Sequence, residues 1–353
     1  MPLSNNFEIL KIFVLTTFSF VVAFSWTPLL SHFLYKYKLG KSIRNEGTTP
    51  IYSKLHKHKE GTPTMGGLLV WVTVLIITLG FSYLSGVEGL PVWLTRLNFL
   101  TREETLLPLG VLVASALVGL IDDWFNVTRQ GGGKGGGLKV RHRLVIFTII
   151  AAVGAWWFYS KLGWDVIHIP FIGTYSIGLW FIPFFIFTIV ATAFSVNTVD
   201  GLDGLAAGIL LFSFASIGAI AFLQGKFELV TFCGVIVGSL LAFLWFNIKP
   251  ARFFMGDTGA MSLGITLGIV ALLAHAEFFL PIIGLMLVIE SLSVIIQLIS
   301  KKFRNKKVFI SSPLHHHLEA LGWPESKIVM RFWVISGVSS VLGLILALMD
   351  KSI

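Results

Sequence analysis

Asn247-Ile248-Lys249-Pro250-Ala251-Arg252-Phe253-Phe254-Met255-Gly256-Asp257-Thr258-Gly259 is a short polar break between two long apolar runs, and its reading decides the fold. If both runs are helices that cross a bilayer, Asp257 sits at a membrane surface. A carboxylate there, flanked by Gly256 and Gly259 and followed by the Thr258 hydroxyl, suits a hard cation such as Mg²⁺. Such an ion keeps most of its own waters and takes one or two protein oxygens. The plain alternative is a polar turn between two helices. What separates the two readings is how many other polar motifs fall on the same face.

The composition supports the membrane reading. Of 353 residues, 55% are hydrophobic and 13% charged, and the mean hydropathy is +0.83. These values are too apolar for a soluble protein, and several runs approach the length of a bilayer span. The single cysteine, Cys233, lies in an apolar run, so no intrachain disulfide forms and the fold rests on helix packing. No cleavable leader is expected, because Met1–Leu10 holds Glu8 and no basic cluster, and the next run reads as a retained first helix.

About ten spans are expected, near 12–34, 66–84, 105–121, 144–159, 176–195, 205–223, 230–247, 259–276, 280–300 and 328–349. The expected fold is therefore an all-α, polytopic membrane protein with one integral membrane domain over 1–353. If the chain alternates sides, loops 35–65, 124–143, 196–204, 248–258 and 301–327 share a face and hold 20 of the 27 Lys and Arg. That asymmetry puts these loops in the cytoplasm and both termini outside. The formal charge of +9 thus reports topology, and no nucleic-acid partner is expected.

The same loops carry every candidate motif. In order they are His56 through Gly67, Asp122-Asp123, Asn197 through Gly204, the opening stretch, and Pro313 through Glu319 with its three consecutive histidines. Unrelated helix-end polarity would scatter to both faces, so this one-sidedness argues for a single site facing the cytosol. The run Gly131 through Gly137, interrupted only by Lys134, reads as a flexible connector.

Asp122 and Asp123 end the third span. Adjacent helical residues point roughly 100° apart, so the two carboxylates do different jobs rather than share one proton; a charged helix end meeting water is the simpler account of such a pair. Asp200 and Asp203 are each followed by Gly, which permits tight turns close to a ligand, or they belong to a capped loop before the sixth helix. With Asp257 these make five carboxylates near Lys59, Arg141, Arg143 and the histidines. Carboxylates alone would hold a cation and cations alone a phosphate, whereas both together suit Mg²⁺-assisted phosphoryl transfer. The triple histidine has a transition-metal reading, weakened because three consecutive residues rarely converge on one ion. Glu290 lies inside the ninth apolar run and is a functional hypothesis by default, with no role assigned.

Gly61-Thr62-Pro63-Thr64-Met65-Gly66-Gly67, Asp122-Asp123, Asn197 through Gly204, Phe254 through Gly259 and Pro313-Leu314-His315-His316-His317 together resemble the phospho-N-acetylmuramoyl-pentapeptide transferases, or translocase I enzymes. The resemblance runs over nearly the whole chain in order. It implies transfer of phospho-N-acetylmuramoyl-pentapeptide from its UDP carrier to undecaprenyl phosphate, giving lipid I and UMP, with Mg²⁺, in the bacterial plasma membrane among its lipids. By matching positions it implies Asp257 as metal ligand, Asp122 and Asp123 as paired catalytic carboxylates, and Lys59 on phosphate. It implies Asn197, Asp200 and Asp203 around the nucleotide and Phe254 stacked on uracil. Asn247, Arg141, Arg143, His315, His316 and His317 complete the expected pocket. Direct attack by the lipid phosphate, with Asp122 accepting a proton or positioning, is favoured over a covalent phospho-enzyme. No motif encodes oligomeric state, and a homodimer is compatible with this reading.

Three departures stand out. Asn126 occupies a place where the family usually has Lys, the glycine tract is unusual, and the usual Arg-x-Lys pair appears as Arg141-His142-Arg143. They bear on the contacts of the second cytoplasmic loop rather than on the reaction class. The nearest alternative is a sister enzyme moving N-acetylhexosamine 1-phosphate, which would share the aspartates. A transporter would place acidic residues at mid-membrane in related halves, and an intramembrane aspartic protease would need Gly where Phe254 stands.

Overall fold

The computed structural model describes residues 3–40, 56, 59–102, 104–130 and 136–350. The elements in order are α1 (Leu3–Lys36), α2 (Leu68–Ser85), α3 (Val92–Thr95), α4 (Leu106–Val127), α5 (Val140–Lys161), β1 (Val166–Ile169) and β2 (Gly173–Ser176). A single 3₁₀ turn (Gly178–Trp180) leads into α6 (Phe181–Val199), α7 (Leu205–Leu223), α8 (Phe227–Asn247), α9 (Gly256–Leu273), α10 (Leu280–Ile283), α11 (Leu285–Arg304), α12 (Leu314–Ala320) and α13 (Glu325–Met349). Among the described residues nine helices are long and apolar enough to cross a membrane: α1, α2, α4 to α9 and α13.

The expected ninth span, 280–300, takes a different form. Its run is broken at Gly284 between α10 and α11. Helix α11 then turns a polar face inward, with Glu290, Ser291, Ser293, Gln297 and Ser300 buried, while Leu292, Ile295, Ile296, Leu298, Ile299 and Phe303 are exposed. It ends in Lys301, Lys302 and Arg304. Apolar residues clustered on one stripe and polar ones on the other make an amphipathic helix rather than a uniformly apolar one, which a run-length reading does not distinguish.

Helix α9 is the centre of the bundle, with every residue buried except Asp257. It packs on α4, α6, α7 and α2. Glycine makes this possible, since without a hydrophobic force between helices in lipid, close backbone approach supplies the contact. A Cβ on Gly119 of α4 would lie 2.4 Å from the Asp257 carbonyl oxygen, and one on Gly264 would lie 2.9 Å from Ala193 Cα of α6. Elsewhere α1 lies across Gly234 and Gly238 of α8, where Ser19 donates to the Val235 carbonyl at 2.7 Å. At one end of the bundle the antiparallel β1–β2 hairpin pairs Val166 with Ser176 and Ile169 with Gly173. The starts of α5, α9 and α13 lie at the other end, with the candidate motifs.

The stretch before α2 is tied to the stretch before α9 by backbone alone. Phe254 N–H donates to the Pro63 carbonyl, Gly66 N–H to Phe254 and Gly67 N–H to Met255, each at 2.8 Å. Side chains on those glycines have no room: a Cβ on Gly66 would meet the Phe253 ring at 2.4 Å, and one on Gly67 would meet Gly259 Cα at 2.3 Å. Gly67→Ala therefore has to push the α2 and α9 backbones apart, and the expected loss is about 1–3 kcal/mol, read as a lower melting temperature in detergent. Gly80→Ala, where a Cβ meets nothing within 4 Å, is expected to leave the melting temperature unchanged or raised. Equal effects of the two substitutions would overturn this account of the α2–α9 contact.

Candidate active site

Two adjacent aspartates at the end of α4 are separated in role by the helix that abuts them. The first N–H groups of a helix have no partner within it, and their positive partial charge favours an anion. Asp123 meets that need for α9: its Oδ1 accepts from the Asp257 N–H at 3.0 Å and its Oδ2 from the Thr258 N–H at 3.0 Å. The Thr64 hydroxyl also donates to Oδ1, at 3.1 Å. Gly256 has φ +74°, and a Cβ there would come within 2.5 Å of Asp123 Oδ2, so the turn into α9 requires glycine. Asp123 thereby holds the start of α9, and with it the backbone of Asp257, against the end of α4.

Asp122 points instead into a charged cluster. Arg143, from the first turn of α5, places Nε 2.7 Å from Asp122 Oδ2 and Nη2 2.8 Å from Asp257 Oδ2. Its Nη1 donates to Asn197 Oδ1 at 3.0 Å, and Asn197 Nδ2 donates to Asp257 Oδ1 at 2.7 Å. Asp122 Oδ1 accepts the Leu138 N–H at 2.6 Å. The end of the glycine tract thus has a defined use. Gly137, with φ +75°, lies so near that a Cβ would be 2.8 Å from Asp122 Oδ1; residues 131–135 lie outside the described residues. Arg141 is exposed and contacts only its neighbour His142 among the described pairs, at 3.4 Å, so the cluster takes Arg143 and leaves Arg141 aside.

A second set lies along the loops at the same end. Lys59 donates to Asp203 Oδ1 at 2.6 Å and to Glu325 Oε1, and sits 5.9 Å from the centre of the half-buried Phe254 ring. Glu325, the first residue of α13, also accepts the Asp203 N–H at 2.9 Å and pairs with Lys249 at 2.8 Å. Asp203 Oδ2 accepts from the Ala251 N–H at 3.2 Å. Asn247 accepts from the Gly204 N–H at 3.0 Å and donates to the Phe253 carbonyl at 2.8 Å. Asp203 and Asn247 are buried and hold the 200–204 and 247–254 loops together, while Asp200 is half-buried at the end of α6. Glu325 was missed in the sequence. The available signal was that it and Glu319 are the acidic residues of the basic 301–327 loop.

The three histidines diverge, as consecutive helical residues must. His315 is fully buried, its Nδ1 3.1 Å from Glu290 Oε2, its N–H donating to Glu290 Oε1 at 3.1 Å, and its Nε2 directed at Gly201. Glu290 thus meets both the ring and the backbone N–H of His315. His317 accepts the Ile310 N–H at 3.2 Å. His316 Nδ1 lies 2.7 Å from Glu319 Oε2, and His56 Nε2 lies 3.1 Å from the same oxygen. The ligand atoms of His56, His316 and Glu319 are all within 4.8 Å of one another, a convergence of two histidines from different segments rather than of three consecutive ones.

Burial pulls the His316 imidazole down to about 3, reinforced by His315. Burial alone would push the Glu319 carboxyl up, but the hydrogen bonds from His316 and His56 outweigh it and hold it below the usual carboxylate range. The two effects act in the same direction. His316 takes up a proton in the unfolded chain below about 6.5 but not in the folded one, and Glu319 is protonated earlier in the unfolded chain, so acidification favours opening. Hydrogen exchange of residues 314–320 is expected to quicken progressively as pH falls from 7 to 4 relative to α9, once corrected for intrinsic rates. A pH-independent ratio would show that this cluster does not hold α12.

The chain also matches known sequence families. The pattern for Glycosyl transferase family 4 matches residues 105–275, and phospho-N-acetylmuramoyl-pentapeptide-transferase signature 1 matches residues 59–69, which include Lys59 and the paired glycines. A phospho-N-acetylmuramoyl-pentapeptide-transferase of Chloroflexus aggregans is 40% identical over 91% of this chain and 85% of its own length. One from a Geobacillus species is 38% identical over 92% and 94%, and one from Clostridium novyi 35% identical over 92% and 93%. Likeness of that extent covers α4, α9 and the loops that carry all three clusters, and with it the chain belongs to the phospho-N-acetylmuramoyl-pentapeptide-transferase family.

Proposed function

We propose that this multi-pass membrane protein transfers phospho-N-acetylmuramoyl-pentapeptide from UDP to undecaprenyl phosphate, with release of UMP, at the cytoplasmic face of the plasma membrane. The observation that carries the reading is the Asp122, Arg143, Asn197 and Asp257 cluster at the motif-bearing end of the bundle, in a chain whose relatives bear the transferase name. One substrate is a lipid confined to the bilayer and the other a nucleotide confined to water, so the reaction needs an interfacial site. The basic loops around it would also draw in anionic headgroups.

In the reaction, an oxygen of the lipid phosphate attacks the phosphorus that bears the sugar. The bond from that phosphorus to the oxygen of UMP breaks, and a lipid-linked diphosphate forms. Asp257, Asp122 and the Asn197 carbonyl offer the oxygen donors that a hard divalent cation takes, and two carboxylates against one guanidinium leave the cluster net negative. These residues fit Mg²⁺, which when bound would offset charge on the diphosphate. Asp122 positions the attacking phosphate or accepts its proton. Lys59, held by Asp203 and Glu325 beside Phe254, supplies positive charge to the diphosphate, and Phe254 offers a ring face to uracil.

Detergent-purified protein given undecaprenyl phosphate, Mg²⁺ and UDP-N-acetylmuramoyl-pentapeptide is expected to release UMP, and EDTA to stop it. UDP-N-acetylglucosamine is expected to give none, whereas release with that donor alone would move the chain to sugar-phosphate transfer. Asp257→Ala is expected to lower turnover by at least about a thousandfold in a protein that still melts cooperatively; full activity would remove Asp257 from the metal site. Phe254→Ala is expected to weaken the UDP substrate more than the lipid, and equal weakening would refute stacking on the base.

A further inference from the structure

Within the charged cluster each carboxylate divides its oxygens in the same way. Asp122 Oδ1 is taken by the Leu138 N–H and Asp257 Oδ1 by the Asn197 amide, both neutral donors. Asp122 Oδ2 and Asp257 Oδ2 both go to Arg143, as does the Asn197 carbonyl oxygen. One planar guanidinium therefore spans the three oxygens that a divalent ion at this site would use. Only arginine can do so, because its donors form a rigid fork, whereas a lysine ammonium is a point charge. A cation entering here would sit within ångströms of a fixed positive group while competing for its acceptors.

We propose that Arg143 is an internal competitor for the divalent cation: its guanidinium clamps Asp122, Asp257 and Asn197, and ion binding exchanges it off those oxygens. The proposal rests on the reading of Asp257 as metal ligand. It assigns Arg143 a positioning role in which it holds two like-charged carboxylates together and sets the ion's affinity low enough for exchange.

The test is Mn²⁺ titration of the detergent-purified protein without nucleotide or lipid, followed by electron paramagnetic resonance of the free ion. Arg143→Lys keeps the charge and loses the fork, and is expected to bind Mn²⁺ about tenfold more tightly, the scale of one charge-assisted hydrogen bond. Arg143→Gln removes the charge as well and should bind at least as tightly as Arg143→Lys. If Arg143→Gln fails to fold, the lysine variant decides alone. Arg143→Lys within twofold of the wild type, or weaker, overturns the proposal, because a merely supporting arginine predicts no gain. Asp257→Asn separates the two readings. If it loses Mn²⁺ while Arg143→Lys changes nothing, competition fails and the metal site stands; if it binds like the wild type, both fall.

Discussion

The contact of the Asp123 carboxylate with the free N–H groups of Asp257 and Thr258 is the joint on which the rest depends. It fixes where α9 begins, and therefore where Asp257 projects. It is buried, and a charge that is buried without partners would be severely penalised. Here three donors and a helix dipole satisfy it. The close approach at Gly119 and the positive φ at Gly256 are the steric conditions that let the carboxylate reach those groups.

Around that joint the polar residues sort into those that gather in the charged cluster and those that hold loops. Asp203, Asn247, Glu325, Glu290 and Gln297 are buried and bonded to neighbouring segments, and Gln297 Oε1 alone accepts from the N–H groups of Val308 and Phe309 at 3.0 Å each. Loops at a membrane surface have no sheet or helix partner for their backbone groups, so side chains must supply one. Arg143, Asn197 and Asp257 hydrogen-bond one another instead, and Asp122 joins them through its ion pair with Arg143. Ion pairs of this kind contribute little net stability when whole, yet breaking one partner away is costly, which suits groups kept for chemistry.

The helical membrane architecture and the gathering of the motifs at one end of the bundle were legible because both depend on run length and the alternation of loops. The glycines were read as turn and connector residues, and the close helix approaches at Gly67 and Gly119 were not legible. That Asp122 and Asp123 point apart was legible from their adjacency on a helix, but which of them meets the start of α9 was not, because it depends on the face that α4 presents and the chain between them exceeds a hundred residues. Glu325 was hidden because the last helix begins three residues before its apolar run, with Pro324 at its N-cap. The polar inner face of α11 was not legible because its polar residues are mostly serine and glutamine, which barely interrupt an apolar run. The triple histidine read as one feature in sequence and is three in space.

The burial of α9 on all sides bears on how the protein is made. Its glycines and its threonine and serine hydroxyls leave it among the less apolar of the candidate spans, and lipid offers little to hold such a segment alone. Its main partners α4 and α6, with α2 and α7, all precede it in the chain. Each is already synthesised when α9 emerges from the ribosome, so order of synthesis matches order of packing. The segment that carries the metal-ligand candidate thus enters a socket built in advance, and an incomplete chain ending before it would present that socket as an open cleft in the membrane, walled by residues such as Gly119, Ile189 and Ala193.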